Sequence, residues 1–272
     1  MAKKVVRKSN NTFQKSVAFF IFIIGIFYVI FYIYKNDINA ILGLKHDPTA
    51  REIRNDKNIE KRNQRILSHY QDKIFGIDVS EYQGRIDWDK VNFMAEGAPI
   101  NFVFIRATVG NDRVDRSFEH NWKASDKKFI RGAYHYYRPN ENSIEQAKLF
   151  IKTVRLEKGD FPPVLDIEKL PRNQSIDSLK VGLRRWLNKV EAHYGIKPII
   201  YSGDKYYSDF LESEFSDYVF WIAHYDYFDT EINPKWQIWQ FTEKSKVIGI
   251  RGNVDLNIFN GDIEQLKELT VQ

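Results

Sequence analysis

Eight short apolar stretches limit what this 272-residue chain can fold into. They are Ile74–Val79, Phe102–Thr108, Gly132–Tyr137, Pro163–Ile167, Pro198–Ser202, Val219–Tyr225, Gln237–Phe241 and Val254–Ile258, each bounded by polar residues, glycine or proline. A brief apolar run so flanked reads as a buried strand, and buried strands belong to sheets covered by helices. Helical signals fill most of the intervals. Asp87 precedes Trp88–Val91 as an N-cap, and Ser143 opens a helix over Ile144–Leu156 with Gln146 at the capping-box position. Ser175 or Asp177 opens a long helix to Tyr194, which Gly195 ends. The roughly two hundred residues after position 74 suffice for one well-buried domain. Eight strands with intervening helices predict an α/β fold, a TIM-like (β/α) barrel.

In a barrel of parallel strands, reacting side chains gather at the C-terminal strand ends. Here those ends carry Asp78, then Arg106 and Thr108, Tyr136, Asp166 and Glu168, Tyr201, Trp221 and Tyr225, and Gln240, with Asp255 in the last strand. Within Pro163-Val-Leu-Asp-Ile-Glu168 the two acids alternate with apolar residues, so both face one side of the strand. Glycoside cleavage needs one carboxyl to protonate the leaving oxygen and a second group to manage the developing positive charge. Alone, such a pair serves equally well as a strand terminus holding loop amides. Four acids and several aromatics converging on one rim suit a sugar, whose C–H faces stack on rings while its hydroxyls seek charged acceptors.

Several motifs in register make a family resemblance. Gly76-Ile-Asp-Val-Ser80 followed by Gln83-Gly-Arg-Ile-Asp-Trp88 resembles the opening signature of the glycoside hydrolase family 25 lysozymes. Phe102-Val-Phe-Ile-Arg-Ala-Thr108, Gly132-Ala-Tyr-His-Tyr136, Pro163-Val-Leu-Asp-Ile-Glu168 and Trp236-Gln-Ile-Trp-Gln240 with Asp255 resemble its later segments in order. The likeness spans about residues 74–260. It implies a flattened β/α barrel that cleaves the β-1,4 bond between N-acetylmuramic acid and N-acetylglucosamine. One position departs: where the family commonly has Ala-Thr-Glu-Gly, this chain has Ala107-Thr-Val-Gly110, so Val109 replaces a carboxylate.

The resemblance makes Glu168 the proton donor, its carboxyl kept neutral by partial burial and a negative Asp166. Alternate strand residues lie only about 6–7 Å apart, too close for Asp166 to attack from the far side of the bond. Asp166 either orients the substrate acetamido group for attack on its own anomeric carbon or activates a water. Asp78 and Asp255 match the remaining acids of the family site, although each could also tie a loop. Tyr136, Tyr201, Trp221, Tyr225, Gln240 and Arg106 are candidate sugar contacts. His135 alternates away from Tyr136 and reads as a satisfied core residue. His193 and His224 have no metal-like spacing with acids, so neither metal nor cofactor is inferred. Trp88, Trp122 and Trp186 read as packing.

The start of the chain has a different character. Val17–Tyr34 is apolar and uncharged, flanked by Lys15 and Lys35, which meets the roughly 17–25 residues a helix needs to cross a bilayer. Lys3, Lys4, Arg7, Lys8 and Lys15 precede it with no acid, which places the N-terminus in the cytoplasm and the rest in the periplasm or outside the cell. A cleaved signal peptide is the competing reading, and Ala40–Gly43 matches a cleavage site poorly. The expected organisation is a basic tail over 1–16, a transmembrane helix over 17–35, a charged stalk over 36–73 and a catalytic domain over 74–272. Ile53, Ile59 and Ile66 are too sparse for a core stripe, so the stalk is expected to be solvated.

The net charge of +5 belongs to that leader: residues 1–36 hold six basic side chains and no acid, leaving 35 basic against 36 acidic. Nucleic acid is therefore excluded as a partner. With no cysteine, disulfides and thiol chemistry are excluded too. The expected partners are peptidoglycan glycan strands and, through residues 17–35, the lipid bilayer; the sequence sets no oligomeric state. Competing readings are a non-catalytic glycan-binding module, a glycosidase of chitin-like glycans and a membrane-tethered scaffold.

Overall fold

Alternate residues of the strands pack in opposite directions, and this two-sidedness builds the barrel. In the computed structural model, which describes residues 50–226 and 231–272, helix α1 (Ala50–His69) precedes β1 (Ile74–Val79) and β2 (Phe102–Val109). There follow β3 (Arg113–Val114), α2 (Phe118–Ala124), β4 (Ile130–Tyr136), α3 (Ser143–Thr153), β5 (Val164–Asp166), α4 (Ile176–Tyr194) and β6 (Ile199–Gly203). After a helical segment over residues 204–211 come β7 (Val219–Ala223), β8 (Ile238–Ser245), β9 (Val254–Phe259) and α5 (Ile263–Leu269). The strands run in the order β1-β9-β8-β7-β6-β5-β4-β2-β3, and pairing of β1 with β2 closes eight of them into a barrel.

One set of strand residues, including Phe102, Phe104, Tyr134, Val164, Ile199, Tyr201, Trp221 and Ile238, forms a small inner core. Their neighbours, including Val103, Ile105, Leu165, Ile200, Phe220 and Trp239, join Phe150, Leu183 and Trp186 of the helices in a larger outer one. The inner space is filled by rings: Phe104 stacks on Trp221 at 4.4 Å between centroids, and Phe161 lies within 5.5 Å of Phe102 and 4.8 Å of Phe104. Two glycines make room for them. A Cβ on Gly76 would stand 2.3 Å from the Phe102 ring, and one on Gly132 would stand 2.4 Å from Phe104.

The eight expected strands all form, with ends shifted by a few residues, but the barrel is mixed. β9 runs antiparallel to both β8 and β1. The short strand β3, which pairs antiparallel with β2, was not expected. No helix forms over Trp88–Val91; Asp87 accepts there from Lys90 N in a turn, and the buried Trp88 donates to Asn121 Oδ1 at 3.2 Å. The cap of α3 is Asn142, whose side chain accepts from Ile144 N and Glu145 N, and Gln146 turns instead to the Arg138 main chain. Helix α4 starts at its Ser175 cap and ends at Gly195 with φ 70°, as expected.

The larger correction concerns the stalk. Asp56–Gln272 form one compact unit, so the domain begins ahead of β1. Ile59, Ile66, Leu67 and Tyr70 are buried, and Ile66, Leu67 and Tyr70 belong to the outer core. Spaced three and four apart with Arg62 and Asn63, which are also buried, they line one helix face. Polar residues complete that face, so the apolar ones looked too sparse. Among the described residues no helix is long and apolar enough to cross a membrane. The expected tail, the 17–35 span and the stalk up to residue 49 lie outside the described residues.

Candidate active site

Strand register brings the candidate residues together. Neighbouring strands pair Tyr136 with Asp166, Asp166 with Tyr201 and Tyr201 with Trp221, while Asp78 faces Asp255 across β1 and β9. All ten expected residues, Asp78, Arg106, Tyr136, Asp166, Glu168, Tyr201, Trp221, Tyr225, Gln240 and Asp255, line one open cavity of about 260 Å³. That is close to the lower bound for ligand sites, roughly 300 Å³.

Asp78 Oδ2 accepts from Gln240 Nε2 at 2.8 Å and Asn257 Nδ2 at 2.9 Å. Gln240 Oε1 accepts in turn from the Tyr201 hydroxyl at 2.8 Å and from the Tyr225 hydroxyl. Asn257 Oδ1 accepts from Trp221 Nε1 at 2.8 Å. One network therefore fixes two tyrosines and a tryptophan around a carboxylate. Burial lifts Asp78 to about 6 against these hydrogen bonds. Asp255 rises to about 9 through burial and the neighbouring Asp78 charge, so this pair keeps a proton at neutral pH.

Asp166 sits at the cavity floor, 4% exposed, and its Oδ1 has no hydrogen-bond partner in the protein. Burial first, then the Glu168 charge, raises its pKa well above the usual carboxylate range. Glu168, two residues on, is exposed at the rim. Its pKa is also raised by the surrounding protein, with Asp166 and Lys169 acting in the opposite direction. Both carboxyls are thus raised, so the pair retains a proton more readily than two free carboxyls would. A coupled pair of raised carboxyls can both give and take a proton.

A sequence model of the glycosyl hydrolases family 25 matches residues 77–250. The chain belongs to glycosyl hydrolase family 25. It is therefore a glycoside hydrolase by descent, and the matched segment contains Asp78, Asp166 and Glu168. Lysozyme M1 of Streptomyces globisporus is 32% identical, covering 72% of this chain and 71% of its own length. The uncharacterized protein YegX of Escherichia coli K12 is 43% identical over 71% of this chain and 72% of its own. The structure of a family 25 glycosyl hydrolase from Bacillus anthracis superposes with a TM-score of 0.65 at 29% identity, covering 74% of this chain and 95% of that one.

In this family 25 enzyme Trp221 and Tyr201 are almost wholly buried and form the cavity wall, whereas Tyr225 and Tyr136 are more open. Arg106 is turned largely to protein partners: its Nε lies 2.8 Å from Asp115 Oδ2 and its Nη2 3.4 Å from Glu81. Its guanidinium lies 4.6 Å from the ring centre of Tyr82, so its main effect is to carry that exposed ring at the cavity lip. Val109 is buried in β2, and the nearby Arg106, Arg113 and Arg116 gather on Glu81.

Sequence reasoning missed Tyr134, Tyr82, Gln83 and Glu243, which also line the cavity, and Asn257, which orients Asp78. Tyr134 and Asn257 stand two residues from Tyr136 and Asp255, so strand alternation would have found both. His135 is the satisfied core residue expected: it lies 2.7 Å from Thr108 Oγ1 and 3.1 Å from Gln146 Oε1, stacks on Trp186, and is lowered to about 4 by burial. His193 is exposed, and His224 lies 3.2 Å from Asp204.

Proposed function

We propose that the protein is a membrane-anchored peptidoglycan hydrolase, an N-acetylmuramidase that cuts the β-1,4 bond between N-acetylmuramic acid and N-acetylglucosamine. The single observation that carries this reading is the Asp166–Glu168 pair, two carboxyls with raised pKa values in one cavity walled by tyrosine and tryptophan. The kinship with Lysozyme M1 supports the choice of substrate.

In this reading Glu168, at the open rim, protonates the glycosidic oxygen, and the Asp166 side chain orients the acetamido group of the muramic acid residue. The unpartnered Asp166 Oδ1 is an acceptor for the amide N–H of that group. Attack by the acetamido oxygen on the anomeric carbon displaces the leaving sugar, and water activated by Glu168 then opens the ring so formed. Asp78, with Asp255, holds Gln240 and through it the hydroxyls of Tyr201 and Tyr225. Residues 17–35 anchor the chain in the bilayer with residues 1–16 in the cytoplasm and the catalytic domain outside, on the basis of the apolar run and its basic flank.

Incubation of the full-length protein with purified sacculi tests the reading by the ends it creates. New reducing muramic acid ends support it. Reducing N-acetylglucosamine ends point to a different glycosidase, and binding without cleavage points to a glycan-binding module.

A further inference from the structure

Arg62 of helix α1 is 5% exposed, and its guanidinium is engaged by two main-chain carbonyls. Nε donates to Asp226 O and Nη1 to Phe241 O, both at 2.5 Å, while the group lies 5.8 Å from the centre of the Trp239 ring. Each of those carbonyls is next in sequence to a cavity residue: Asp226 follows Tyr225, and Phe241 follows Gln240. Tyr225 and Gln240 are joined by their side chains. Ahead of Tyr225, the main chain is already fixed, because His224 N donates to Gln240 O at 3.0 Å and His224 O accepts from Trp239 Nε1 at 3.0 Å. The main chain on either side of Tyr225 is thus held, by β8 before it and by α1 after it.

A buried cation is costly unless its N–H groups are paired, and a helix that needed only anchorage would be served by apolar side chains. The guanidinium plane instead fixes two acceptors at a set separation, which a lysine cannot do. The same helix face continues the grip: Asn63 Nδ2 donates to Lys244 O at 3.4 Å, and the Tyr70 hydroxyl accepts from Ile232 N at 3.0 Å. We propose that Arg62 is a positioning residue for glycan binding: it ties the chain after Tyr225 to β8, holds that hydroxyl on Gln240, and so lets a helix ahead of the barrel set substrate affinity. This inference rests on the glycan-hydrolase reading of the cavity.

The test compares Arg62→Met, which keeps much of the packing stem but no donors, with Arg62→Lys in the full-length protein, in the wild-type and Tyr225→Phe backgrounds. KM for soluble glycan should rise on the order of fivefold in Arg62→Met, the loss that goes with one substrate hydrogen bond, while kcat stays within about twofold. Arg62→Lys should fall between, and Arg62→Met should add little once Tyr225 has lost its hydroxyl. A purely structural role would lower the melting temperature and the active fraction and leave KM alone. An unchanged KM, or an equal rise in the Tyr225→Phe background, overturns the proposal; if Arg62→Met does not fold, Arg62→Lys must show the KM rise itself. Titration with a soluble peptidoglycan fragment of alternating N-acetylglucosamine and N-acetylmuramic acid, read by tryptophan fluorescence, separates the two readings. A wild-type protein that binds without turnover refutes the hydrolase reading while the variant affinities still decide the role of Arg62. One that binds nothing overturns both.

Discussion

Replacing Ile66 by alanine distinguishes a helix that belongs to the catalytic domain from a solvated stalk. Ile66 has no exposed surface and packs in the outer core with Leu67 and Tyr70. Truncating a buried isoleucine to alanine costs about 2–5 kcal/mol, the lost transfer free energy plus that of the cavity left behind. For a domain of this size each kcal/mol moves the midpoint by roughly 2–4 °C, so the melting temperature should fall by roughly 4–20 °C. Glu60→Ala serves as the control, since Glu60 is exposed one turn and a half away on the same helix. Surface changes of that kind stay within about 0.5 kcal/mol. The assay is thermal unfolding followed by circular dichroism, with both variants measured beside the wild type. A shift below about 1 °C for Ile66→Ala, indistinguishable from Glu60→Ala, would refute the docking of α1 and with it the domain boundary ahead of β1.

Gly76→Ala should destabilise by about 1–3 kcal/mol through overpacking against the Phe102 ring, seen as a lower midpoint in urea with an unchanged slope. Asp255 sets a pH dependence with a definite sign. Its folded pKa of about 9 lies above the unfolded value of 3.8, so the folded protein binds the proton more tightly and loses stability as pH rises between those values. Asp255→Asn should therefore gain stability relative to the wild type between pH 5 and pH 8, measured as melting temperature across the range. A difference that stays constant with pH would contradict it.

The fold was legible wherever the pattern was local. Strands such as Ile74–Val79 are bounded by sharp changes of polarity, and the Ser175 and Gly195 caps mark a helix from both ends. The direction of β9 was not legible, because an apolar strand carries no sign of whether its neighbours run with or against it. Nor was the docked face of α1, where Arg62 and Asn63 are buried among apolar residues only because main-chain carbonyls of the barrel accept from them. That the ten candidate residues share one cavity was legible, because strand ends and alternation decide which side chains meet. The difference in depth between the buried Asp166 and the exposed Glu168 was not, since sequence spacing does not encode how far each carboxyl sits below the surface.

The central claim is that Glu168 transfers the proton that breaks a glycan strand. The most direct measurement is the rate at which reducing muramic acid ends appear from sacculi, compared between the wild type and a Glu168→Gln variant of equal melting temperature. The rate should fall by on the order of a hundredfold or more, the usual contribution of a general acid. A Glu168→Gln rate near that of the wild type would contradict the account.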